Sequence, residues 1–418
     1  MAELARRLGT GDAVVIGLGS MIGAGVFAAF GPAARAAGAG LLIGLGIAAV
    51  IAYCNATASA QLAAVYPTSG GTYIYGRERL GPWWGFAAGW GFVVGKTASC
   101  AAMALTVGTY ALPGPWWAQR LIAVVAVIGL TALNYRGVTK TATLARILVA
   151  CTLIALATVV IGIAMGGARP SSLSGWSSAT AYGILQSAGL LFFAFAGYAR
   201  IATMGEEVRD PARTIPKAII VALGIAVAVY LVVGVAVLLA AGPERLARSA
   251  APLAEALRAA GAAQLVPIVA VGGVLASLGA LLALIAGIGR TTLAMARHRD
   301  LPGWLAAVHP RYQVPHHAEI ALAVVVCVLT TAVDLRGVIG FSSFGVLIYY
   351  AIANAAAYTQ PAAQRRWPRV LNVCGVFGCL LLVATLPWQS VVVGLGVFAI
   401  GLTGRAIAQR SFTDPRRG

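Results

Sequence analysis

The sequence predicts an all-α integral membrane protein of about twelve transmembrane helices, and three observations carry that expectation. Of its 418 residues, 60% are hydrophobic and 10% are charged, with a mean hydropathy of +0.87. A soluble chain of this size needs far more polar residues to cover its surface. Apolar runs of about 20 residues, enough to cross roughly 30 Å of hydrocarbon, recur along nearly the whole chain. Lys and Arg gather in alternate loops, the bias that orients a polytopic protein.

In chain order the expected spans are 13–33, 40–64, 84–112, 117–135, 143–166, 182–204, 217–241, 265–295, 318–334, 338–358, 370–386 and 388–405. The fourth and ninth have the shortest uninterrupted apolar cores. No small-residue cleavage site follows the first run, which reads as a retained span and not a signal peptide. With the N-terminus inside, nineteen basic residues fall on the inner side, among them Arg6, Arg7, Lys140, Arg410, Arg416 and Arg417. The outer side receives seven: Arg35, Arg120, Arg169, Arg245, Arg248, Arg258 and Arg336. Both termini are therefore expected in the cytoplasm, in a multi-pass protein of the cell membrane. Trp83 and Trp84 at the inner start of the third span, and Trp116 and Trp117 past its outer end, fit an aromatic belt. In the outer segment Pro243 to Gly261, Leu246, Leu253 and Leu257 stand at helical spacing. It reads as a short helix on the membrane surface or over an entrance.

The composition also excludes classes. A net charge of +18 would suit a nucleic-acid binder, but the basic residues flank apolar runs and form no single stripe. The six cysteines lie inside apolar stretches, without metal-ligand or secreted-disulfide spacing, and read as helix-packing residues. All four histidines (His298, His309, His316, His317) lie in or beside one inner loop with no metal motif, so no metal and no cofactor are expected. An intramembrane enzyme needs a nucleophile–base pair or paired acids at depth, whereas Ser20 and Ser99 have no histidine partner in the spans. Nothing resembles a channel filter or a charged ring.

Two spans depart from ordinary lipid-facing helices. The first contains Gly17-Leu-Gly-Ser-Met-Ile-Gly-Ala-Gly25, and glycine costs roughly 1 kcal/mol in a helix interior relative to alanine. Such density fits a broken helix, whose second half offers N–H groups and a dipole end to a carboxylate. It equally fits close helix packing through small residues. The sixth span carries Gly197 as a second break, flanked by Phe193, Phe195 and Tyr198, with Arg200 three residues on. Interruptions at matching places in two halves are the sequence pointer to a transporter's central site. The halves would be residues 1–166 and 182–358, an inverted five-plus-five repeat inferred from position, with 370–405 adding two helices. Lys96, near the middle of the third span, is an intramembrane cation that costs at least ~2.5 kcal/mol on insertion scales, so it faces a cavity or a partner. It suits proton exchange or, alternatively, a structural bond to backbone carbonyls. Arg146 and Arg290 lie nearer inner ends and read as snorkelling or loop-anchoring.

These residues resemble a known family. Gly19-Ser-Met-Ile-Gly-Ala-Gly-Val-Phe27 is similar to the first-span signature of the amino acid-polyamine-organocation superfamily, and Pro67-Thr-Ser-Gly-Gly-Thr-Tyr-Ile-Tyr75 resembles its second inner-loop motif. Phe192-Phe-Ala-Phe-Ala-Gly197, Gly205-Glu-Glu-Val-Arg-Asp-Pro211 and Ile215-Pro216 resemble its sixth span and following loop. Ala294-Met-Ala-Arg297 with Leu301-Pro302 resembles the loop after its eighth span. The ordered set covers nearly the whole chain. The resemblance implies a twelve-span permease working by alternating access. It implies that Ala24 and Gly25 offer N–H groups to a substrate carboxylate, and that the carbonyls of Met21, Phe193 and Ala196 take the α-ammonium. Phe193 would gate the site, and Lys96 falls where relatives place a polar or acidic residue near the substrate.

For coupling, the resemblance brings two further positions into play. Proton-coupled relatives can carry a fifth-span lysine where this chain has Thr152, and sodium users need eighth-span hydroxyls, where Ser277 is the one well placed. A proton is the expected coupling ion, through Lys96, with sodium kept as the alternative. Glu206 and Glu207 sit at the inner mouth, no acid lies in the first or third span core, and Lys96 and Arg200 make the centre electropositive. The expected substrate is accordingly a neutral or acidic amino acid, with an exchanger, a polyamine permease or a non-transporting sensor as alternatives. The lipid bilayer is the other expected partner; the sequence carries no sign of an oligomeric state.

Overall fold

A computed structural model describes residues 8–67, 70–136, 142–167, 179–205 and 207–413. Expectations placed on Arg6, Arg7, Thr68, Ser69, Lys140, Arg169, Glu206, Arg416 and Arg417, and on the side chain of Arg410, fall outside these residues. Among the described residues ten helical stretches are long and apolar enough to cross a membrane. Two shorter apolar helices, His316–Ala332 and Arg369–Thr385, have 17 residues each and stand at the ninth and eleventh expected spans. That length is at the lower limit for crossing the hydrocarbon. The chain is a multi-pass, all-helical membrane protein, and extended pairing among the described residues is limited to one bridge between Leu8 and Val208.

Several boundaries differ from the apolar runs. The first span is Thr10–Met21 followed by Ala24–Ala28, shorter than the expected 13–33. Residues from Phe30 onward form a separate helix, Phe30–Ala37, that leads through Gly38–Gly40 into Leu41–Val65. The seventh expected span becomes Pro211–Arg248. It begins six residues before the apolar run because Pro211 fits the first helical turn, where its missing N–H has no partner to lose. It bends at Gly242, whose φ of 70° lies in the left-handed region that favours glycine.

The third span, Pro82–Ala111, lies at the centre and packs against Leu335–Tyr358 and Val266–Arg297. Small residues permit that position. A Cβ on Gly91 would stand 2.8 Å from the Gly345 carbonyl, and one on Gly95 3.0 Å from the Ser342 carbonyl. Without a hydrophobic drive between helices in lipid, such close backbone approach supplies the packing energy. The fourth span, Trp116–Tyr135, and the last, Trp388–Thr413, sit at the rim, with Leu121, Val125, Val392 and Ile400 exposed where lipid would lie.

Each end of the bundle is tied. On the side of the Leu8–Val208 bridge, Asp300 accepts from Tyr73, Arg77 and Arg405, joining the loop after the eighth span to the helix Thr72–Leu80 and to the last helix. Arg405 also lies over the ring of Trp83, so that tryptophan has a packing role beyond the aromatic belt. On the opposite side the helix Pro252–Ala259 buries Leu253, Ala254, Ala256 and Leu257 against the ends of the first, fifth and eighth spans. The outer segment is thus packed onto the helix bundle. Arg35 donates to the Ala247 carbonyl at 2.9 Å and fixes this segment to the second span's leading helix.

Candidate substrate site

The site forms where two helices stop. In the first span the α-helix ends at Met21, Ile22 and Gly23 are non-helical, and the chain resumes at Ala24. Gly23 N–H turns back to the Met21 carbonyl at 2.8 Å. In the sixth span the helix Ala181–Phe195 tightens to 3₁₀ over Ala196–Tyr198 before the short helix Ala199–Ala202. The interruptions touch. A Cβ on Gly197 would sit 2.5 Å from Met21 N and nearer still to the Ser20 carbonyl, while one on Gly25 would sit 2.6 Å from Ala194 Cα. The two readings of the glycine-rich segment, broken helix and close packing, are therefore one fact: the helices break where their backbones meet.

A narrow cavity of about 50 Å³ opens at this point. It brings together the expected residues Met21, Ala24, Gly25, Phe193, Ala196 and Gly197 with Lys96 and Arg200. It continues into a second cavity of about 400 Å³, which shares Ser20, Arg200, Gly287 and Arg290 and adds Thr152 and Glu207. Ser277 lines neither. It is fully buried, and its hydroxyl has no hydrogen-bond partner among the described residues. Thr152 reaches the second cavity but donates its hydroxyl proton to the Leu148 carbonyl at 2.7 Å.

Two of the three carbonyls expected to face an ammonium, those of Ala196 and Met21, already hold side-chain donors of the protein. Ala196 O accepts from Lys96 Nζ at 3.0 Å and from Tyr350 Oη at 3.2 Å. Met21 O accepts from Tyr230 Oη at 2.6 Å, and the same hydroxyl lies 3.0 Å from Ala194 O. An interrupted helix leaves carbonyls without intrahelical donors, and buried acceptors must find others. Tyr230 and Tyr350 supply them. Sequence reasoning passed over both tyrosines, although each carries a hydroxyl within a run of aliphatic residues, where it needs a buried partner.

The charges arrange themselves around the mouth. Glu207 lies 3.6 Å from both Arg200 and Arg290, and Arg200 also donates to Thr203 Oγ1 at 3.1 Å. Arg290, expected to snorkel or anchor a loop, thus lines both cavities. Arg146 pairs with Asp12 and ties the start of the fifth span to the first. Of the four aromatic residues beside the sixth-span break, Phe193 lines the cavity, while Phe192 and Tyr198 pack on Tyr350 and Phe195 packs on Tyr230. Among the described residues no group of three or more His, Cys, Asp or Glu could hold a metal, and the six cysteines are free. Cys374 is exposed, so it does not serve the helix packing expected of it.

The two interrupted helices of this membrane protein thus meet at one cavity, which Lys96 and Arg200 also line. A family model described as amino acid permease matches residues 8–402. An uncharacterized transporter of Mycobacterium tuberculosis is 60% identical over 97% of this chain and 92% of its own length. A branched-chain amino acid permease of Bacillus subtilis is 27% identical over 96% of this chain and 92% of its own. A cationic amino acid transporter of Arabidopsis thaliana is 26% identical over 93% of this chain and 71% of its own. The chain belongs to the amino acid permease family, within the amino acid-polyamine-organocation superfamily, and is a transporter in kind and not an enzyme.

Proposed function

We propose that this protein carries neutral or acidic amino acids across the cell membrane by alternating access, coupled to protons. It does so on twelve spans, with residues 1–166 and 182–358 as inverted halves, two added helices over 370–405, and both termini in the cytoplasm. The observation that carries this reading is the meeting of the two interrupted spans around one cavity. There the N–H groups of Ala24 and Gly25 would take the carboxylate, since they begin the second half of a broken helix and its dipole favours an anion. The carbonyls of Met21, Phe193 and Ala196 would take the ammonium, and the Phe193 ring would close over it.

Charge supports the substrate class. The described residues lining the two cavities include the cations Lys96, Arg200 and Arg290, and the acid Glu207 is shared between the two arginines. A cationic side chain would have to compete for that carboxylate, whereas a neutral or acidic one would not. Among the relatives, the branched-chain permease agrees with a neutral substrate and the cationic amino acid transporter does not. Lys96 is the proposed proton-responsive group, with Thr152 and Ser277 the positions to test for sodium.

The test is uptake of a panel of radiolabelled amino acids and polyamines into proteoliposomes under an imposed proton or sodium gradient. Accumulation of neutral or acidic amino acids driven by a proton gradient is the expected result. Accumulation of polyamines alone, or no uptake of any panel member by folded protein, defeats the proposal.

A further inference from the structure

We propose that Lys96 is a built-in competitor for the substrate's ammonium, and that this makes a carboxylate obligatory in any ligand the site accepts. The inference rests on the amino acid site proposed above. Its physical basis is the Ala196 carbonyl. That oxygen has two lone pairs, and both are in use: Lys96 Nζ stands at 3.0 Å and Tyr350 Oη at 3.2 Å. The donors come from two different spans, the third and the tenth, while the acceptor sits in the 3₁₀ turn that interrupts the sixth. The substrate's ammonium and the lysine's ammonium are chemically the same group seeking the same oxygen.

Lys96 is 5% exposed, and among the described residues no carboxylate lies within salt-bridge distance of it. Glu207, the acid lining the adjoining cavity, is held between Arg200 and Arg290. A buried cation that loses its acceptor is left at a large energetic disadvantage unless another acceptor replaces it. A zwitterionic substrate brings that replacement. As its ammonium takes the Ala196 carbonyl, its carboxylate, entering beside Ala24 and Gly25 in the cavity Lys96 also lines, offers Lys96 an anion. A bond to an ionised acceptor is roughly twice as strong as one to a neutral carbonyl. The flexible four-carbon stem of lysine permits the exchange, which a rigid guanidinium fork would not.

A bare amine has nothing to offer in return. It has to expel Lys96 from its acceptor with no anion to receive it, so the wild-type protein discriminates against amines, polyamines included. The exchange makes Lys96 a determinant of specificity, acting against the wrong ligand as much as for the right one.

The experiment measures binding of each amino acid of the transport panel, and of the amine formed by its decarboxylation, to purified wild-type protein and to Lys96→Met by calorimetric titration. Lys96→Gln, which keeps a polar side chain of similar length, serves if Lys96→Met does not fold. The expected result is that wild type prefers the amino acid to its amine, and that the variant narrows that preference at least tenfold by binding the amine more tightly. An unchanged preference in a folded variant that still binds the amino acid overturns the competitor role while leaving the transporter reading intact. Failure of wild type and both variants to bind any panel amino acid overturns the site reading, and this inference with it.

Discussion

Arg405 bonds Asp300 at 2.9 Å, and both side chains are 2% exposed. The other Asp300 oxygen receives Tyr73 Oη at 2.8 Å and Arg77 at 3.3 Å, while Arg405 also donates to the Pro82 carbonyl at 2.7 Å. One carboxylate thus gathers the eighth-span loop, the helix Thr72–Leu80, the start of the third span and the last helix. Removing one member of a buried pair leaves the other charge uncompensated, at a cost of about 3–5 kcal/mol. Asp300→Asn is expected to lower the melting temperature in detergent sharply, and adding Arg405→Met is expected to restore part of the loss. Equal melting temperatures for wild type and Asp300→Asn would show that the cluster contributes nothing.

Gly197→Ala is the strictest test of the meeting helices. The added methyl group collides with the backbone of Ser20 and Met21, which cannot yield as a flexible side chain can. Transport is expected to vanish. Gly224→Ala provides the contrast: nothing lies within 4 Å of its added Cβ, so full activity and slightly greater stability are expected, since alanine is favoured over glycine in a helix by up to ~1 kcal/mol. Uptake in proteoliposomes separates the two, and a Gly197→Ala protein that transports normally contradicts the packing described.

Tyr230→Phe removes one hydroxyl from two buried carbonyls, those of Met21 and Ala194. Met21 O keeps the Gly23 N–H, so the loss is that of a buried hydrogen bond, and a drop in stability of about 0.5–1.5 kcal/mol is expected. Tyr53→Phe, at an exposed tyrosine, is expected to change stability by no more than about 0.5 kcal/mol. Matching melting curves for the two variants would remove Tyr230 from the account.

Lys96→Met is expected to insert and fold yet to transport at a rate that no longer varies with pH. Surviving pH dependence in this variant would rule Lys96 out as the proton-responsive group. Uptake measured at a series of pH values in reconstituted vesicles decides the matter.

Much of this architecture was legible in the chain because lipid imposes a simple rule, that apolar length marks a span. The interruptions were legible for a related reason: Gly23, Gly25 and Gly197 are costly in a helix and need a compensating use. Hydrophobicity alone could not locate the start of the second helical stretch at Phe30, because residues 30–33, Phe-Gly-Pro-Ala, carry no charge to end the apolar run. The partners of the broken backbone were hidden as well. Tyr230 and Tyr350 lie far from the breaks in sequence, and no local pattern says which carbonyl a distant hydroxyl will reach. Arg290 anchors the loop after the sixth span through Glu207, as expected, but its place on both cavities was hidden, since position along an apolar run says nothing about which face of the helix meets a cavity. Asp300 stood in a loop among basic residues and gave no sign of becoming a buried hub.

The backbone contact between Gly197 and Ser20 has a mechanical consequence. Side chains cushion most helix interfaces and let neighbours slide by changing rotamers, but two backbones in direct contact have no such compliance. The interruptions in the first and sixth spans therefore share one degree of freedom, and a displacement of either is imposed on the other. A ligand gripped by both halves would travel with a single stiff body, leaving the surrounding helices to carry the hinge.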